Sequence, residues 1–334
     1  VMSLPQAVRA QAFFDSPRPF TVTQTCEAFT SLRKQSYPVP VLPGETYIAF
    51  GENKRPGGTH AQIDVNGQRK WIPLTCGKFA GDSVVSDCLP FFDEIDNPLR
   101  VSFGGMVDIT PVAPILSEFD RAVNDVCGEP GKAVSRDEFK QLMYQYPEVL
   151  AAIQEFSEGE VFSDRPTPRD TAAYLKDLTD AWFNVHGFDH IFCAEPVAGG
   201  NLGGFHFWGR YLELQEKGLA CRLPSLSRAE VEPGLIYTMG AMIKVGDGVA
   251  TSPVKGYGLT LSAADILKVA TKAFAENPTA STRSKGCLLP LEDEGQEFVT
   301  VFVRRAGGIR TFYPDATPNP NHNPDCKTEI VLTN

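Results

Sequence analysis

The spacing of apolar positions changes near residue 115, and the change divides the sequence. Before it they recur in short extended runs: TYIAF, AQIDV and RKWIPL are alternating or β-branched segments parted by turn signals such as ENKRPGG and VNGQ. Asn66-Gly67 suits a type I′ turn, so a hairpin is expected there. A further extended stretch, LRVSFGGMVDITPV, leads up to Pro114. After it the period becomes helical. Ser117 with Asp120 forms a capping-box pattern ahead of Phe119, Val123 and Val126, and Gly128 closes the segment. DEFKQLMYQYPEVLAAIQEF predicts a second helix, broken or kinked at Pro147. RDTAAYLKDLTDAWFNVHG predicts a third, with Leu175, Leu178 and Trp182 on one face and Gly187 as its stop.

Beyond Gly187 the pattern is mixed. HIFCAE reads as a short strand ending near Glu195, PVAGGNLGG as a glycine-rich loop, and FHFWGRYLELQEKG as a helix stopped by Gly218. LIYTMGAMIKV and YGLTL read as strands around a GDG turn, and SAADILKVATKAF as a helix opened by a Ser262/Asp265 capping box. EFVTVFVRR and IRTFYP should pair across Ala306-Gly307-Gly308, and the Asn/Pro run from Pro318 to Pro324 is a loop. The expected class is α+β: a β-rich N-terminal domain over residues 1–115, of unassigned role, then helices and strands over residues 116–334.

Composition narrows the functions open to such a chain. No run approaches the roughly 18 apolar residues a membrane helix needs, so no membrane role is expected. The net charge of -10 argues against tight, nonspecific binding to a polyanion. Residues 1–115 carry 10 basic and 11 acidic side chains against 21 and 30 in the remainder, so the acidic excess lies in the second part. Eight cysteines, with no CxxC and no zinc-finger spacing, make a structural metal site improbable. They favour disulfides and an exported protein over buried thiols, with Cys76 and Cys88 as the nearest local pair and the full connectivity open. The chain opens VMSLPQ, which suggests that an upstream leader was removed or that the sequence was trimmed.

Chemistry points to two of the five histidines. His190 in GFDHIFCAE and His206 in NLGGFHFWGRY stand sixteen positions apart in similar aromatic and glycine frames. Imidazole both takes and gives a proton near neutral pH. A pair flanking one phosphate could cut RNA through its own 2′-hydroxyl, one ring as base and the other as acid. Alone, either histidine is more simply a structural residue. His60, His186 and His322 carry no functional assignment, and Trp208 reads as core packing.

Four patterns fall in order: GFDHIFCAE, LGGFHFW, VKGYGLTLSAADILKVATKAF and IRTFYP. Together they resemble the EndoU endoribonuclease family, over roughly residues 116–334 and most clearly in the later half. The resemblance implies helices followed by two small antiparallel β-sheets flanking a cleft. It makes His206 the general base, His190 the general acid and Lys255 the cation that offsets charge on the phosphorane. Lys244 competes with Lys255, which is preferred for its spacing to Gly258 and the helix beyond. Gly203 and Gly204 would offer backbone N–H groups to the phosphate, just before the helix bearing His206.

Thr311 and Tyr313 match the family's base-reading pair, Tyr313 by stacking and Thr311 by hydrogen bonding, although Tyr313 could equally pack a core. Thr260 and Ser262 are the other hydroxyl candidates, Ser262 reading more simply as a helix cap. Glu195 reads as an orienting or structural residue, and Cys193 as a disulfide or buried thiol. Many family members depend on or respond to Mn²⁺. No ligand set is recognisable here, so any such effect is expected to act on RNA or affinity.

The reading is therefore an exported or periplasmic endoribonuclease that cuts single-stranded RNA 3′ of uridylates and leaves 2′,3′-cyclic phosphate ends. A toxin-like member would have a cognate inhibitor protein. The rivals are a noncatalytic RNA-binding or interaction protein, and a metal hydrolase built on His190, His206 and Glu195. The sequence is silent on oligomeric state.

Overall fold

The computed structural model describes residues 12–53, 58–79, 88–197 and 200–332. Residues 54–57 of the ENKRPGG turn, residues 198–199 of the glycine-rich loop and the opening VMSLPQ lie outside them. The architecture is α+β. Its N-terminal part is a five-stranded antiparallel sheet in the order Gln68–Pro73, His60–Val65, Thr46–Glu52, Ala12–Val22, Gly77–Phe79. Asn66 and Gly67 both take positive φ, as the type I′ hairpin requires. A small core closes beneath the sheet around Phe20, Ala49, Ile63 and Ile72.

Side chains from Phe91 onward join a second, larger core. Phe91, Phe92, Val101 and Ile109 belong to it. The stretch expected to be extended up to Pro114 thus packs on the second part, pairing with itself at Leu99–Arg100 and Met106–Val107 and with Glu230 through Phe103.

Four helices follow: α1 (Glu118–Cys127), α2 (Arg136–Gln145), α3 (Pro147–Phe156) and α4 (Thr171–Phe183). Ser117 and Asp120 form the reciprocal capping box on α1. The chain breaks at Tyr146, where Pro147 cannot continue α2 and instead opens α3 at its first position. Helix α4 stops at Phe183, four residues before Gly187.

HIFCAE departs from expectation. Its apolar residues wind into one wide turn, Asp189–Cys193, and only Glu195–Pro196 is strand, paired with Leu202–Gly203. Ile191, Phe192 and Cys193 are all buried, which a turn in the core requires as much as a strand does. Helix α5 (Trp208–Glu216) begins two residues beyond His206, so His206 precedes that helix, and Gly203 and Gly204 do not sit at its N-terminus.

Two four-stranded sheets complete the fold. In the first, Ile236–Val245 pairs with Ala220–Arg222 and Glu230–Glu232 on one side and with Gly248–Gly258 on the other. The strand expected as YGLTL is therefore longer and earlier, and ends at Gly258. Pro253 hid it, since proline breaks a ladder except at an edge or bulge. The register does shift there, between Met239 and Ala241. After α6 (Ala263–Glu276), capped by Ser262 and Asp265, the second sheet runs Gly308–Pro314, Gln296–Arg305, Lys285–Asp293, with Ile330–Leu332 parallel at its edge.

All eight cysteines are paired: Cys26–Cys76, Cys88–Cys221, Cys127–Cys193 and Cys287–Cys326. The expected Cys76–Cys88 pair does not form. Cys76 closes the N-terminal core, while Cys88 fastens the connecting segment to the first of the two four-stranded sheets. Ile48 and Phe50 of the N-terminal sheet pack against Leu223, Met242 and Val249 of that same sheet. Four disulfides fit an oxidising compartment. Among the described residues no helix is long and apolar enough to cross a membrane.

Candidate active site

The two four-stranded sheets face each other across a cleft of about 770 Å³, and its lining includes His190, Gly203, Gly204, His206, Lys255, Thr311 and Tyr313. The two histidine segments are held by backbone bonds. Phe205 N–H donates to the His190 carbonyl (2.8 Å) and His206 N–H to the Ile191 carbonyl (2.9 Å), leaving ring centroids 5.9 Å apart. Gly204 is obligatory between them: its φ is +65°, and a Cβ would collide with the His190 carbonyl. Phe205 also takes a positive φ of 74°, a strained conformation for a bulky residue. Its ring stacks on Tyr211 at 3.6 Å, and the Tyr211 hydroxyl donates to its carbonyl, so packing holds the strained residue beside His206.

His206 is 9% exposed, and its Nδ1 lies 2.9 Å from the Gly256 carbonyl oxygen. A carbonyl only accepts, so the proton sits on Nδ1 and Nε2 keeps its lone pair. Burial, then the charge of Lys255 and His190, hold this ring well below the ordinary imidazole pKa and keep it neutral. Gly256 can take its place because a Cβ there would press to 2.7 Å from Thr238 Oγ1.

His190 has a different partner. Its Nδ1 meets Glu195 Oε2 at 2.6 Å. Arg310 grips the same carboxylate with both terminal nitrogens, at 3.2 and 2.8 Å, and also donates to the Val185 carbonyl. Burial pushes Glu195 up, yet the bonds to His190 and Arg310 outweigh it and hold the carboxyl at about 2. Burial lowers the His190 pKa, and the Glu195 hydrogen bond opposes that shift. Sequence reasoning missed Arg310. It falls where the strand register slips between Val303 and Arg304, a bulge that nothing in GGIRTFYP announces. The disulfide Cys127–Cys193 ties the turn bearing His190 to α1.

Lys255 follows the Pro253 bulge, on the strand whose next residue, Gly256, orients His206. Among the described residues no carboxylate pairs with it, and burial lowers its pKa to about 8. Lys244 lies near the far turn of that hairpin, opposite Val249 and outside the cleft lining. Thr311 and Tyr313 share the cleft face of Gly308–Pro314, while Phe312 between them enters the core. The Tyr313 ring lies 5.3 Å from that of His206. Thr311 Oγ1 is buried without a hydrogen-bond partner, an acceptor and donor left open at the cleft wall.

Thr260 donates to Asp293 and Ser262 caps α6, so neither hydroxyl faces the cleft. His322, given no role from the sequence, lines it, as do Ser102, Arg228 and Glu230. His60 bonds Thr59 in the N-terminal sheet, and Trp208 is buried. Among the described residues no cluster of three or more His, Cys, Asp or Glu could hold a metal ion. The acid nearest the histidines, Glu195, is committed to His190 and Arg310, so the residues present do not fit a Mn²⁺ site.

With this geometry in view, residues 184–316 match the sequence family described as bacterial EndoU nuclease. That segment, about two fifths of the chain, is similar to EndoU nucleases. Its match spans the wide turn, both glycines, both histidines, Lys255 and the strand with Thr311 and Tyr313. The match supports an endoribonuclease, an enzyme that acts on RNA. Among solved structures the chain is similar to one titled "The structure of XendoU: a splicing independent snoRNA processing endoribonuclease". The match has 12% identity and a TM-score of 0.42, and covers 69% of this chain and 93% of the other. No curated protein sequence matches the chain.

Proposed function

We propose that this EndoU domain cuts single-stranded RNA 3′ of uridylates by attack of the uridine's own 2′-hydroxyl. The 2′-oxygen bonds to phosphorus, the bond to the departing 5′-oxygen breaks, and the ends are a 2′,3′-cyclic phosphate and a 5′-hydroxyl. His206 Nε2 takes the proton from the 2′-hydroxyl, and His190 Nε2–H gives one to the 5′-oxygen. Two groups are required because attacking and leaving oxygens stand on opposite sides of the phosphorus. Lys255 offsets charge on the phosphorane, aided by backbone N–H groups at Gly203 and Gly204. Tyr313 stacks the base, and the open Thr311 hydroxyl can donate to a uracil carbonyl and accept from its N3–H.

The observation that carries this reading is the pair of Nδ1 bonds. Each ring has Nδ1 tied, to the Gly256 carbonyl or to the Glu195 carboxylate, so Nε2 is the nitrogen left to move a proton. No step passes through a metal. The four disulfides support export to the periplasm or beyond. The test is digestion of an oligonucleotide containing one uridine, with mass analysis of the ends in excess chelator. A cyclic phosphate on that uridine is expected. A cut elsewhere, or cleavage of the 2′-deoxyuridine version, would refute it.

A further inference from the structure

Lys255 and Arg228 are the lysine and arginine among the cleft's lining residues, and only Lys255 has a place in the chemistry above. Arg228 stands on the segment leading into Glu230–Glu232, and that segment is fixed on both sides. Ser102 and Phe103 N–H groups donate to the Ala229 carbonyl, and Thr317 bonds Glu230 at 2.7 Å. The side chain itself is exposed. Among the described residues no carboxylate lies within ion-pair distance of its guanidinium.

The N-terminal hairpin shapes this position. Arg228 also borders a small cavity with Ile48, Asp64 and Gly67 of that sheet. Gly67 sits at φ +79°, and a Cβ there would collide with the guanidinium. Asp64 accepts from Gly67 N–H at 2.8 Å, closing the turn against Arg228. The arginine is thus bordered on one side by the hairpin and on the other by the cleft.

We infer that Arg228, held at the cleft rim by the Asn66-Gly67 turn, binds a phosphate of the RNA strand next to the scissile one. This makes the N-terminal sheet part of the substrate-binding surface. An arginine suits the task because its guanidinium pairs bidentately with phosphate oxygens and keeps its charge. The cleft's volume lies in the upper part of the roughly 300–1,000 Å³ usual for small-molecule pockets, so it can take more than one base and sugar. A second fixed cation also bears on how a chain of net charge -10 holds a polyanion over a few nucleotides.

The inference rests on the endoribonuclease reading, and the test separates the two. Full-length wild type, Arg228→Ala and Arg228→Lys would each be assayed on uridylyl-adenosine, which has one phosphodiester, and on a longer single-uridine oligonucleotide. Binding of the uncuttable 2′-deoxyuridine oligonucleotide would be measured across a salt series. For Arg228→Ala, KM on the longer RNA should rise about tenfold with kcat nearly unchanged, and dinucleotide kinetics should stay at wild type. The slope of log K against log salt should become shallower by about 0.7. Arg228→Lys should recover part of the loss, and Gly67→Ala should reproduce part of it without adding to Arg228→Ala. Equal loss on both substrates, or an unchanged salt slope, would overturn the assignment, and an inert Gly67→Ala would remove the hairpin from it. If wild type cuts neither substrate, the proposed function fails, while the salt slope still decides Arg228.

Discussion

His190 and His206 are the same residue type in the same cleft, one partly buried and one buried and each bonded through Nδ1, yet their partners differ in charge. His206 faces the carbonyl of Gly256, and His190 faces the carboxylate of Glu195 with Arg310 behind it. Burial disfavours imidazolium in both rings. A neutral carbonyl fixes the tautomer and leaves a ring that can only accept a proton at Nε2. A carboxylate at 2.6 Å supports the cation and makes the other ring the better donor. The partner, more than the depth of burial, sets the division of labour proposed for them.

The most drastic way to break the comparison is to remove the proposed base. His206→Ala should lower kcat about a thousandfold on a uridine-containing oligonucleotide, with an unchanged circular dichroism spectrum. Lys255→Ala should lower kcat about a hundredfold and also move the pH profile. Its charge depresses the His206 pKa, so removing it lets that pKa rise. The acid limb of kcat/KM then shifts to higher pH, because the base must be neutral to act.

Glu195→Gln attacks the other ring and should lower kcat/KM about tenfold near neutral pH. Glu195 opposes the downward shift of His190, so without it the His190 pKa falls further. The alkaline limb, where the acid loses its proton, should therefore move to lower pH, the opposite direction from the Lys255 variant. A profile shifted the same way in both would contradict the division. Thr311→Val leaves both rings alone and should weaken the preference for uridine over cytidine by about tenfold, as measured by competing oligonucleotides.

Much of this arrangement was legible in the residues, and the rest depended on distance along the chain. Ser117/Asp120 and Ser262/Asp265 declared their helices because a cap is satisfied within four residues. The hairpin across Gly307 was equally local. The turn at Asp189–Cys193 was not, since an apolar run of that length suits a strand or a buried turn alike. Pro253 concealed the strand that carries Lys255, because only a bulge in its own strand makes room for it. Cys76 found Cys26 rather than its neighbour Cys88, and Cys88 found Cys221, since closure follows the packed sheets rather than sequence spacing. Arg310 left no local trace, as its meaning lies in Glu195, 115 residues away.

The division between the two rings is tested most directly with an RNA whose leaving 5′-oxygen is replaced by sulfur. A thiolate departs without a proton, so an enzyme lacking only its general acid should cut that substrate well. His190→Ala should regain nearly the wild-type rate on it, and His206→Ala should remain inactive. Rescue of His206→Ala, or no rescue of His190→Ala, would contradict the assignment.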